Sequence, residues 1–579
     1  MTLQTNWRLS REQATARGGM VAAKTGTAAC AGVEILRQGG NAVDAAVATA
    51  FAAGVAEPWM NGIGGGGYMV VHRPGDQPAV VEYPMIAPAA ATPELFPLSG
   101  GGADSGLFGW PAVAGQANIT GYLAVAIPGT VAGLALALER FGTISLADAV
   151  APAIAIAADG VPVTWHTTLT IARDLGTLRR FPATAAVFLD ADGNPPVTLE
   201  AAQPVILRQP DLARTLTTIA RDGARAFYEG SIAQTMVAHL RSQGAVVEDA
   251  DFSGYQASVE PALTTDYRDY QIATIGGGTG GTTLVESLHL IEALGVADHP
   301  HNSPEALHAM TQAFRQAFAD RFAYLADPAM VDVPLAALTD WAYAEAQANR
   351  FSSDRLADVV AGSAVRLGID HGLAASMPGY YTGSHQMADG STTHLSVIDR
   401  QGMAVSLTQT LLSLWGSRVT VPATGILLNN GMMWFDPEPG RPNSVAGGKR
   451  PLSNMAPALL LRDGTIVTSL GASGGRHIMN CNAQLLLNLI DHGMSMQEAI
   501  SAPRIDTATA DLFVSARIPV STQERLVALG HRVEVLDETA FGGHFASPVG
   551  IVMHGDGRFN GGADPYYAPA TAVGVELIP

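Results

Sequence analysis

The sequence has few cysteines and few charged residues. Only Cys30 and Cys481 are cysteines among 579 residues, and Asp, Glu, Lys and Arg together make up 15%. Two cysteines cannot build a disulfide scaffold or a cysteine-based metal site; they leave room for one disulfide or, more simply, two thiols. With 47% apolar residues against so little charge, the composition excludes a disordered protein and indicates a large buried core.

Positive charge and long apolar runs are also scarce. The chain has 33 Lys and Arg against 52 Asp and Glu, a formal net charge of −19. Because such a surface repels nucleic acid and anionic membranes, neither is an expected partner. The best candidate for a membrane span, Tyr122–Leu138, contains Pro128 and Gly133, and the first 19 residues lack the apolar core of a secretory signal. We expect a soluble protein, cytoplasmic, or periplasmic if a leader has been removed.

Glycine and alanine are abundant, and they punctuate the predicted elements. The length predicts about two to four units or one large layered body of helices and sheets. Periodicity and capping signals predict helices over 28–56 (with a break at Gly39-Gly40), 130–141, 145–158, 283–294 and 304–326. Strands are predicted over 68–72, 270–275, 394–399, 403–411 and 465–470.

The composition changes abruptly at Thr392. Residues 352–391 hold Ser, Gly, Asp, Met and scattered His without a sustained period, which predicts a mobile connection. Strand character begins directly after Ser391-Thr392. This boundary divides the chain into a larger part, 1–391, and a smaller part, 392–579.

The hairpin after this boundary places a second threonine beside Thr392. A three-residue loop over 400–402, with glycine at the left-handed position, pairs Asp399 with Met403. Continuing that register outward sets Thr410 opposite Thr392. Directly opposed threonine side chains lie within hydrogen-bonding reach.

Threonine pairs are common at strand starts, so these residues alone favour a simple polar strand start. The functional alternative requires cleavage of the peptide bond between Ser391 and Thr392. The α-amine released on Thr392, with a pKa of about 8, then accepts the proton of its own hydroxyl and makes it a nucleophile.

Gly474 and Gly475 lie in a glycine-rich turn, 471–476, between a predicted strand and a helix. Glycines serve such a turn in any case. The functional alternative is an oxyanion hole, in which backbone N–H groups at a helix N-terminus face a developing negative charge.

A second glycine run, Gly276–Gly281, matches the dinucleotide-binding pattern G-x-G-x-x-G. Five glycines in six residues match by composition alone, and the next acidic residue near the required distance, Asp298, lies in a predicted loop. His299 and His301 lack an acidic or cysteine partner for a metal site. We therefore expect no cofactor and no metal.

Several motifs, in their order along the chain, resemble those of the γ-glutamyltranspeptidase superfamily of N-terminal-nucleophile hydrolases. The similarity extends from about residue 18 to residue 577. The similar motifs are Gly39–Ala46, Gly64–Gly67, Pro128–Gly133, Phe227–Gly230, Ala319–Arg321, Tyr324–Pro328, Thr392–His394, Gly425–Asn430, Lys449–Ser453 and Ala502–Arg504.

The resemblance implies an α+β fold, a four-layer αββα sandwich, and a proenzyme that cuts itself before Thr392 into large and small subunits. It implies that Thr392 attacks an amide to form an acyl-enzyme, which water or an acceptor amine then releases. Thr410 matches the threonine that hydrogen-bonds the nucleophile, and Gly474 and Gly475 match the oxyanion-hole glycines. No cofactor is implied, and a higher oligomer is left open.

The substrate-binding positions depart from the family pattern. Pro84 stands where the family has an arginine for the glutamate α-carboxylate. Leu412, Gly431 and Trp434 stand where it has an asparagine, a glutamine and an acidic residue for the α-amine. Losing one partner of a buried charge costs about 2–5 kcal/mol, so several such losses disfavour a glutamyl group.

Of the family's paired serines, Ser453 is present and the second is replaced by Asn454. Together these departures predict an amidase or acylase acting on a small non-glutamyl amide, as in the superfamily's cephalosporin acylases. Two alternatives stay open. One is a genuine glutathione hydrolase or γ-glutamyltransferase, and the other is a processed but catalytically idle binding protein.

Overall fold

A computed structural model of the chain describes residues 9–103, 109–362, 391–540 and 545–576. Most of the connection predicted at 352–391, namely 363–390, lies outside the described residues. Both cysteines are free thiols, Cys30 exposed and Cys481 buried. Among the helices that the structure describes, none combines the length and the apolarity needed to cross a membrane.

In chain order, the described α-helices are α1 Gly26–Arg37, α2 Ala42–Ala56, α3 Thr130–Phe141, α4 Leu146–Asp159, α5 Trp165–Arg173, α6 Leu175–Leu178, α7 Pro182–Phe188, α8 Pro210–Asp222, α9 Arg225–Tyr228, α10 Ser231–Ser242, α11 Asp249–Ser253, α12 Gly280–Ala293, α13 Pro304–Tyr324, α14 Leu335–Leu338, α15 Trp341–Ala348, α16 His477–Ile490, α17 Met496–Ser501 and α18 Val520–Ala528.

The described strands are, in the same order, β1 Ala14–Ala16, β2 Gly19–Ala23, β3 Gly66–His72, β4 Ala79–Tyr83, β5 Leu98–Ala103, β6 Pro111–Val113, β7 Val161–Pro162, β8 Ile206–Leu207, β9 Ser258–Pro261, β10 Leu263–Tyr267, β11 Tyr270–Thr274, β12 Thr393–Asp399, β13 Ala404–Thr410, β14 Thr420–Val421, β15 Ile426–Leu427, β16 Ala458–Arg462, β17 Thr465–Ser473, β18 Ile505–Asp506, β19 Leu512–Ser515, β20 Val533–Leu536, β21 Ser547–Met553, β22 Phe559–Ala563 and β23 Thr571–Gly574.

Two seven-stranded sheets form the centre of the molecule. One has the order β1-β22-β21-β17-β16-β11-β10, and the other has the order β23-β2-β12-β13-β3-β4-β9. An apolar layer that includes Met20, Val70, Leu459 and Ile551 fills the space between them. Helices α1, α2 and α3 cover the outer face of the second sheet, with α4 packed on α2 and α8 on α4. Helices α12, α16 and α17 cover the outer face of the first sheet, with α13 packed on α12. The predicted αββα sandwich is confirmed.

The break predicted inside 28–56 separates α1 from α2. Asn41 caps α2: its side chain accepts hydrogen bonds from the N–H groups of Val43 and Asp44, and the Asp44 carboxylate accepts one from Asn41 N at 2.8 Å. This reciprocal cap satisfies backbone donors at the helix start and fixes where α2 begins. The cap that begins α13 at Ser303 was likewise predictable from sequence.

The hairpin of β12 and β13 has the predicted register. The pairs run from Thr393↔Gln409 to Ile398↔Ala404, and Asp399 N donates to Met403 O at 3.0 Å across the loop. Gly402 has φ +86°, the left-handed conformation that the loop requires. The same register continues outward to set Thr392 opposite Thr410.

Both central sheets combine strands from the two sides of Thr392. In the sheet that holds the hairpin, β2, β3, β4 and β9 come from the larger part of the chain and β12, β13 and β23 from the smaller part. In the facing sheet, β1, β10 and β11 come from the larger part and β16, β17, β21 and β22 from the smaller part. The two parts therefore share one core.

Candidate active site

The peptide bond before Thr392 lies between two threonine hydroxyls. Thr392, Thr410 and Ser391 are all buried. In this uncut chain the Thr392 hydroxyl contacts the carbonyl oxygen of Ser391, and the Thr410 hydroxyl donates to the same oxygen at 3.2 Å. Both hydroxyls thus contact the carbonyl oxygen of the peptide bond that is predicted to be cut.

A backbone N–H fixes the direction of the Thr410 hydroxyl. Leu412 N donates to Thr410 Oγ1 at 2.7 Å, so the hydroxyl hydrogen is left to point towards Ser391. To reach this position Leu412 takes φ +93°, a conformation that costs a residue with a side chain of order 1–3 kcal/mol. The strain is stored directly beside the threonine pair.

The glycine turn is shorter than predicted, because β17 continues through Ser473. Residues 474–476 then connect β17 to α16. Gly474 has φ +140° and Gly475 has φ +59°, and a Cβ on Gly474 would lie 2.7 Å from the Cα of Ala546. Both positions therefore have positive φ, which favours glycine, at the N-terminal end of a helix, and Gly474 in addition has no room for a side chain.

This turn and Thr410 lie at the same end of the two facing sheets. Ser469 Oγ donates to Val405 O at 2.7 Å, and Ser406 Oγ donates to Leu470 O at 2.9 Å, so β17 runs alongside β13 in the same direction. Gly474 lies four residues after Leu470, and Thr410 lies four residues after Ser406, so both lie towards the same end of their strands. The ring of His394 packs against Gly471, where a Cβ would lie 2.3 Å from the ring.

The structure brings Leu412 against the turn that carries Gly431 and Trp434. Ser413 N donates to Asn430 Oδ1 at 3.1 Å, and Asn430 N donates to Leu411 O at 3.1 Å, so the residues flanking Leu412 are both tied to Asn430. Leu412 and Trp434 are buried in the same apolar cluster.

Gly431 and Pro84 also adjoin each other. A Cβ on Gly431 would lie 2.7 Å from the Cβ of Ala126 and 3.2 Å from that of Met85, the residue after Pro84. Pro84 itself lies against Gly66, the strand partner of Thr410. Four of the predicted substrate-binding positions are therefore neighbours at the end of the hairpin.

Ser453 and Asn454 belong to a loop on the other sheet. The buried Arg321 holds them, with Nη2 donating to Ser453 O at 2.6 Å and to Asn454 Oδ1 at 2.9 Å. Among the hydrogen bonds of the described residues, none joins this loop directly to Thr392 or Thr410. Asn443 links this loop to the turn that carries Trp434, because Leu452 N donates to Asn443 Oδ1 at 3.0 Å and Asn443 Nδ2 donates to Trp434 O at 2.7 Å.

The glycine run 276–281 packs against this same loop. Ser453 N donates to Gly278 O at 2.9 Å, and a Cβ on Gly280 would lie 2.5 Å from Asn454 O. Gly280 and Gly281 open α12, which starts three residues earlier than predicted. Close packing accounts for these glycines. In the part of the chain that is described, no group of three or more His, Cys, Asp or Glu side chains could hold a metal ion.

Comparison with known proteins identifies the family. Residues 28–573 match the family model described as Gamma-glutamyltranspeptidase. The chain belongs to the γ-glutamyltranspeptidase family. The acylase ACY 1 proenzyme of Pseudomonas sp. (strain SE83) is 35% identical, over 96% of this chain and 93% of its own length. The glutathione hydrolase proenzyme of Escherichia coli (strain K12) is 32% identical, over 95% and 90% respectively.

A solved structure covers the whole fold. The cephalosporin acylase from Bacillus halodurans superposes with a TM-score of 0.85 at 25% identity, covering 100% of this chain and 99% of the other. As a γ-glutamyltranspeptidase-family protein, the chain is an amidohydrolase or acyltransferase. Enzymes of this family act on small amides with water or an amine as acceptor, as the sequence predicted.

One buried ionisable cluster in this γ-glutamyltranspeptidase-family chain was missed by the sequence analysis. Glu57 Oε2 accepts a hydrogen bond from Thr393 Oγ1 at 2.8 Å, and Tyr567 donates its hydroxyl to Glu57 Oε1. Lys24 Nζ lies 3.7 Å from the centre of the Tyr567 ring. These buried side chains therefore lie beside Thr393, the residue that follows Thr392.

Burial dominates the ionisation of these groups. It raises the pKa of the Glu57 carboxyl to about 7, although the charge of Lys24 opposes the rise. It lowers the pKa of Lys24 to about 8, against the opposing charges of Asp564 and Glu57. Burial, followed by the charge of Lys24, lowers the pKa of His394 to about 3, so His394 stays neutral. Two charged groups close to the start of β12, Glu57 and Lys24, thus titrate near neutral pH.

Proposed function

We propose that the chain cuts itself between Ser391 and Thr392, and that Thr392 then acts as the N-terminal nucleophile of an acylase for non-glutamyl amides. One observation carries the proposal. The hydroxyls of Thr392 and Thr410 meet on the carbonyl oxygen of Ser391, on the peptide bond that self-cleavage would break.

Self-cleavage follows from this arrangement. Thr392 Oγ1 attacks the carbonyl carbon of Ser391, and the Thr410 hydroxyl stabilises the negative charge that develops on the oxygen. The proton of the Thr392 hydroxyl passes to the Thr392 nitrogen as the C–N bond breaks, and an ester then joins Ser391 to Thr392 Oγ1. Water hydrolyses the ester, leaving a carboxylate on Ser391 and a free amine and hydroxyl on Thr392.

The same groups then serve an external amide. The amine of Thr392 takes the proton of its hydroxyl, and Oγ1 attacks the substrate carbonyl. The N–H groups of the turn at Gly474 and Gly475 receive the oxyanion. The leaving amine departs with the proton, and water or an acceptor amine attacks the acyl-enzyme to release the acyl group and restore Thr392.

The substrate side favours an acyl group without the glutamyl charges. Leu412 and Trp434 are buried and apolar. A Cβ on Gly431 would lie only 2.7 Å from that of Ala126, which leaves no room for a longer side chain. A buried charge without its partner costs about 2–5 kcal/mol. Two of the similar proteins are named acylases rather than glutathione hydrolases, namely the acylase ACY 1 and the cephalosporin acylase, which supports an acylase function.

N-terminal sequencing and gel electrophoresis test the cleavage. The purified protein should run as two pieces, the smaller one beginning at Thr392. Thr392→Ala should leave one chain near 60.0 kDa. An active preparation without a new threonine N-terminus would contradict the proposal.

A pair of anilides with the same leaving group tests the acyl preference. We expect a higher kcat/KM for an uncharged acyl anilide than for the γ-glutamyl anilide. Leu412→Asn introduces the side-chain amide of the family pattern, and asparagine tolerates a positive φ. This variant should therefore raise kcat/KM for the γ-glutamyl anilide relative to that for the uncharged acyl anilide. Leu412→Gly, which removes the side chain without adding the amide, is the matched control.

Two results would favour the alternatives. The relative from Escherichia coli is named a glutathione hydrolase, and an efficient γ-glutamyl reaction, in the usual ~10⁴–10⁸ M⁻¹s⁻¹ range of kcat/KM, would support that function in this chain. A cleaved protein whose Thr392 resists a small acylating inhibitor would be an idle binding protein.

A further inference from the structure

The ionisable cluster behind Thr393 extends to the glycine turn. Lys24 Nζ donates to Ser547 O at 3.4 Å and to the Ser547 hydroxyl. Ser473 Oγ donates to the same Ser547 carbonyl at 3.3 Å, and Ser473 is the residue before Gly474. Ser473 and Ser547 are also strand partners. A series of contacts therefore connects Thr393, at the start of β12, to the glycine turn at 474–476.

Tyr567 stands between the two charges of this cluster. Its hydroxyl bonds Glu57, its ring lies under Lys24, and Trp59 Nε1 donates to its oxygen at 3.2 Å. Lys24 and Glu57 have no exposed surface. Replacing buried charges of opposite sign by apolar residues is often neutral or stabilising, so the fold alone does not require charges at these positions.

We propose that Glu57 is a positioning residue for Thr392, acting through Thr393, and that Lys24 keeps the Glu57 carboxylate ionised. The inference rests on the proposed function, since it concerns the same threonine. Ionised Glu57 accepts from Thr393 and Tyr567 at once and fixes the start of β12. Lys24, bonded to Ser547, ties that start to the turn that receives the oxyanion.

Protonation of Glu57 would weaken this arrangement. A carboxylate only accepts hydrogen bonds, whereas a neutral carboxyl carries a hydrogen on one of its two oxygens. Both oxygens of Glu57 already accept, one from Thr393 and one from Tyr567. The added hydrogen therefore competes with one of these bonds and loosens Thr393.

The precursor reports on this cluster without interference from the nucleophile's own amine. Before cleavage the nitrogen of Thr392 is an amide and does not titrate, so the pH dependence of self-cleavage reflects the surroundings. The Glu57 carboxyl, with its pKa of about 7, faces the charge of Lys24 and the hydroxyl of Tyr567. The groups acting on Lys24 are Asp564, Glu57, Arg11 and Cys481.

The experiment follows newly made precursor, from cell-free synthesis of the full chain, across pH 5.5–9 by gel electrophoresis. The wild-type rate should rise about tenfold per pH unit up to near the Glu57 pKa and then level off. Glu57→Gln should abolish that rise and cut roughly ten- to hundredfold more slowly at pH 8, as expected for loss of a hydrogen bond to a charged acceptor.

Two further variants and a control separate positioning from simple destabilisation. Lys24→Met and Tyr567→Phe each remove a group that favours the ionised carboxylate, so both should move the rise to higher pH. Glu286→Gln removes a buried carboxyl on α12, outside the cluster, and should leave the profile unchanged. If Glu57→Gln fails to fold, by circular dichroism, the shifts in the other two variants decide.

Each outcome has one meaning. A wild type that cuts itself while Glu57→Gln keeps the wild-type rise overturns this inference alone, as does a rise that neither Lys24→Met nor Tyr567→Phe moves. A wild-type chain that never cuts overturns the proposed function and this inference with it.

Discussion

Two threonines with the same hydroxyl chemistry have different proposed roles because of where they lie in one hairpin. Thr392 precedes β12, so cleavage before it creates a chain end. Thr410 ends β13, and Leu412 N holds its oxygen so that its hydrogen faces Ser391 O. In the proposed mechanism, position rather than residue type makes Thr392 the attacking group and Thr410 the hydrogen-bond donor.

Removal of the donor should slow self-cleavage more than it affects the fold. Thr410→Ala deletes the bond to the Ser391 carbonyl, and loss of one such donor costs roughly 10²–10³ in rate. Thr410→Ser keeps the hydroxyl and should cut at close to the wild-type rate. The measurement is the half-life of the precursor on a gel.

A control for this prediction lies on the same strand. The hydroxyl of Thr408 bonds His394 Nδ1 at 2.8 Å rather than Ser391, so Thr408→Val should cut far faster than Thr410→Ala. Equal half-lives for the Thr408 and Thr410 variants would show that any polar loss on β13 has the same effect, and that Thr410 has no specific role.

The sequence could predict these threonines but not the cluster behind them. Thr392 and Thr410 lie on one hairpin, whose register follows from local turn chemistry. Lys24 and Ser547 are 523 residues apart, and no local pattern links them. Lys24 directly follows β2 and Glu57 directly follows α2, which are positions where a charge usually leaves the core. Only the folded sheets show that both charges stay inside.

At the scale of elements, the turn between β17 and α16 depends on two glycines for different reasons. Gly474 combines φ +140° with close contact to Ala546, whereas Gly475, at φ +59°, has an ordinary left-handed conformation. Asparagine tolerates the second conformation, but no side chain suits the first. The two positions should therefore differ in what they accept.

We expect Gly475→Asn to retain cleavage and turnover. Gly474→Ala should retain cleavage, which uses the Thr410 hydroxyl, but should lose turnover by about tenfold or more, on the scale of one lost oxyanion donor. Cleavage half-life and kcat measure the two effects, with circular dichroism to show that the fold survives. Full activity of Gly474→Ala would place the oxyanion donors elsewhere.

Local signals predicted the elements better than the sheets they form. The cap at Asn41 and the loop at 400–402 have residue types that specify one conformation, and the helix break and the hairpin they produce were both predicted. The order of strands was not predictable, because β2 pairs with β23 near the other end of the chain. The end of β17 was misplaced because Gly471, which suggests a turn, instead makes room within a strand for the ring of His394.

At the scale of the whole molecule, the two parts of the chain cannot be separated without unfolding. Each central sheet combines strands from before and after Thr392, and β12 lies between β2 from the larger part and its own hairpin partner β13. Backbone hydrogen bonds and a shared apolar layer join the parts.

The cleaved pieces should therefore stay together on dilution and in high salt. Gel filtration of the cleaved protein should give one peak that contains both pieces, and chemical denaturation should show both unfolding in a single transition. The uncut Thr392→Ala chain is the reference for both measurements. Release of the smaller piece without denaturant would contradict the shared core.

Because each sheet combines strands from both parts of the chain, folding has to precede self-cleavage. The bond before Thr392 meets its two hydroxyls only when β12 is seated between β2 and β13, with the strands of both parts in place. A misfolded copy would lack that seat and would remain a single inert chain. Self-cleavage would thus depend on correct folding, so that only correctly folded molecules become able to attack an amide.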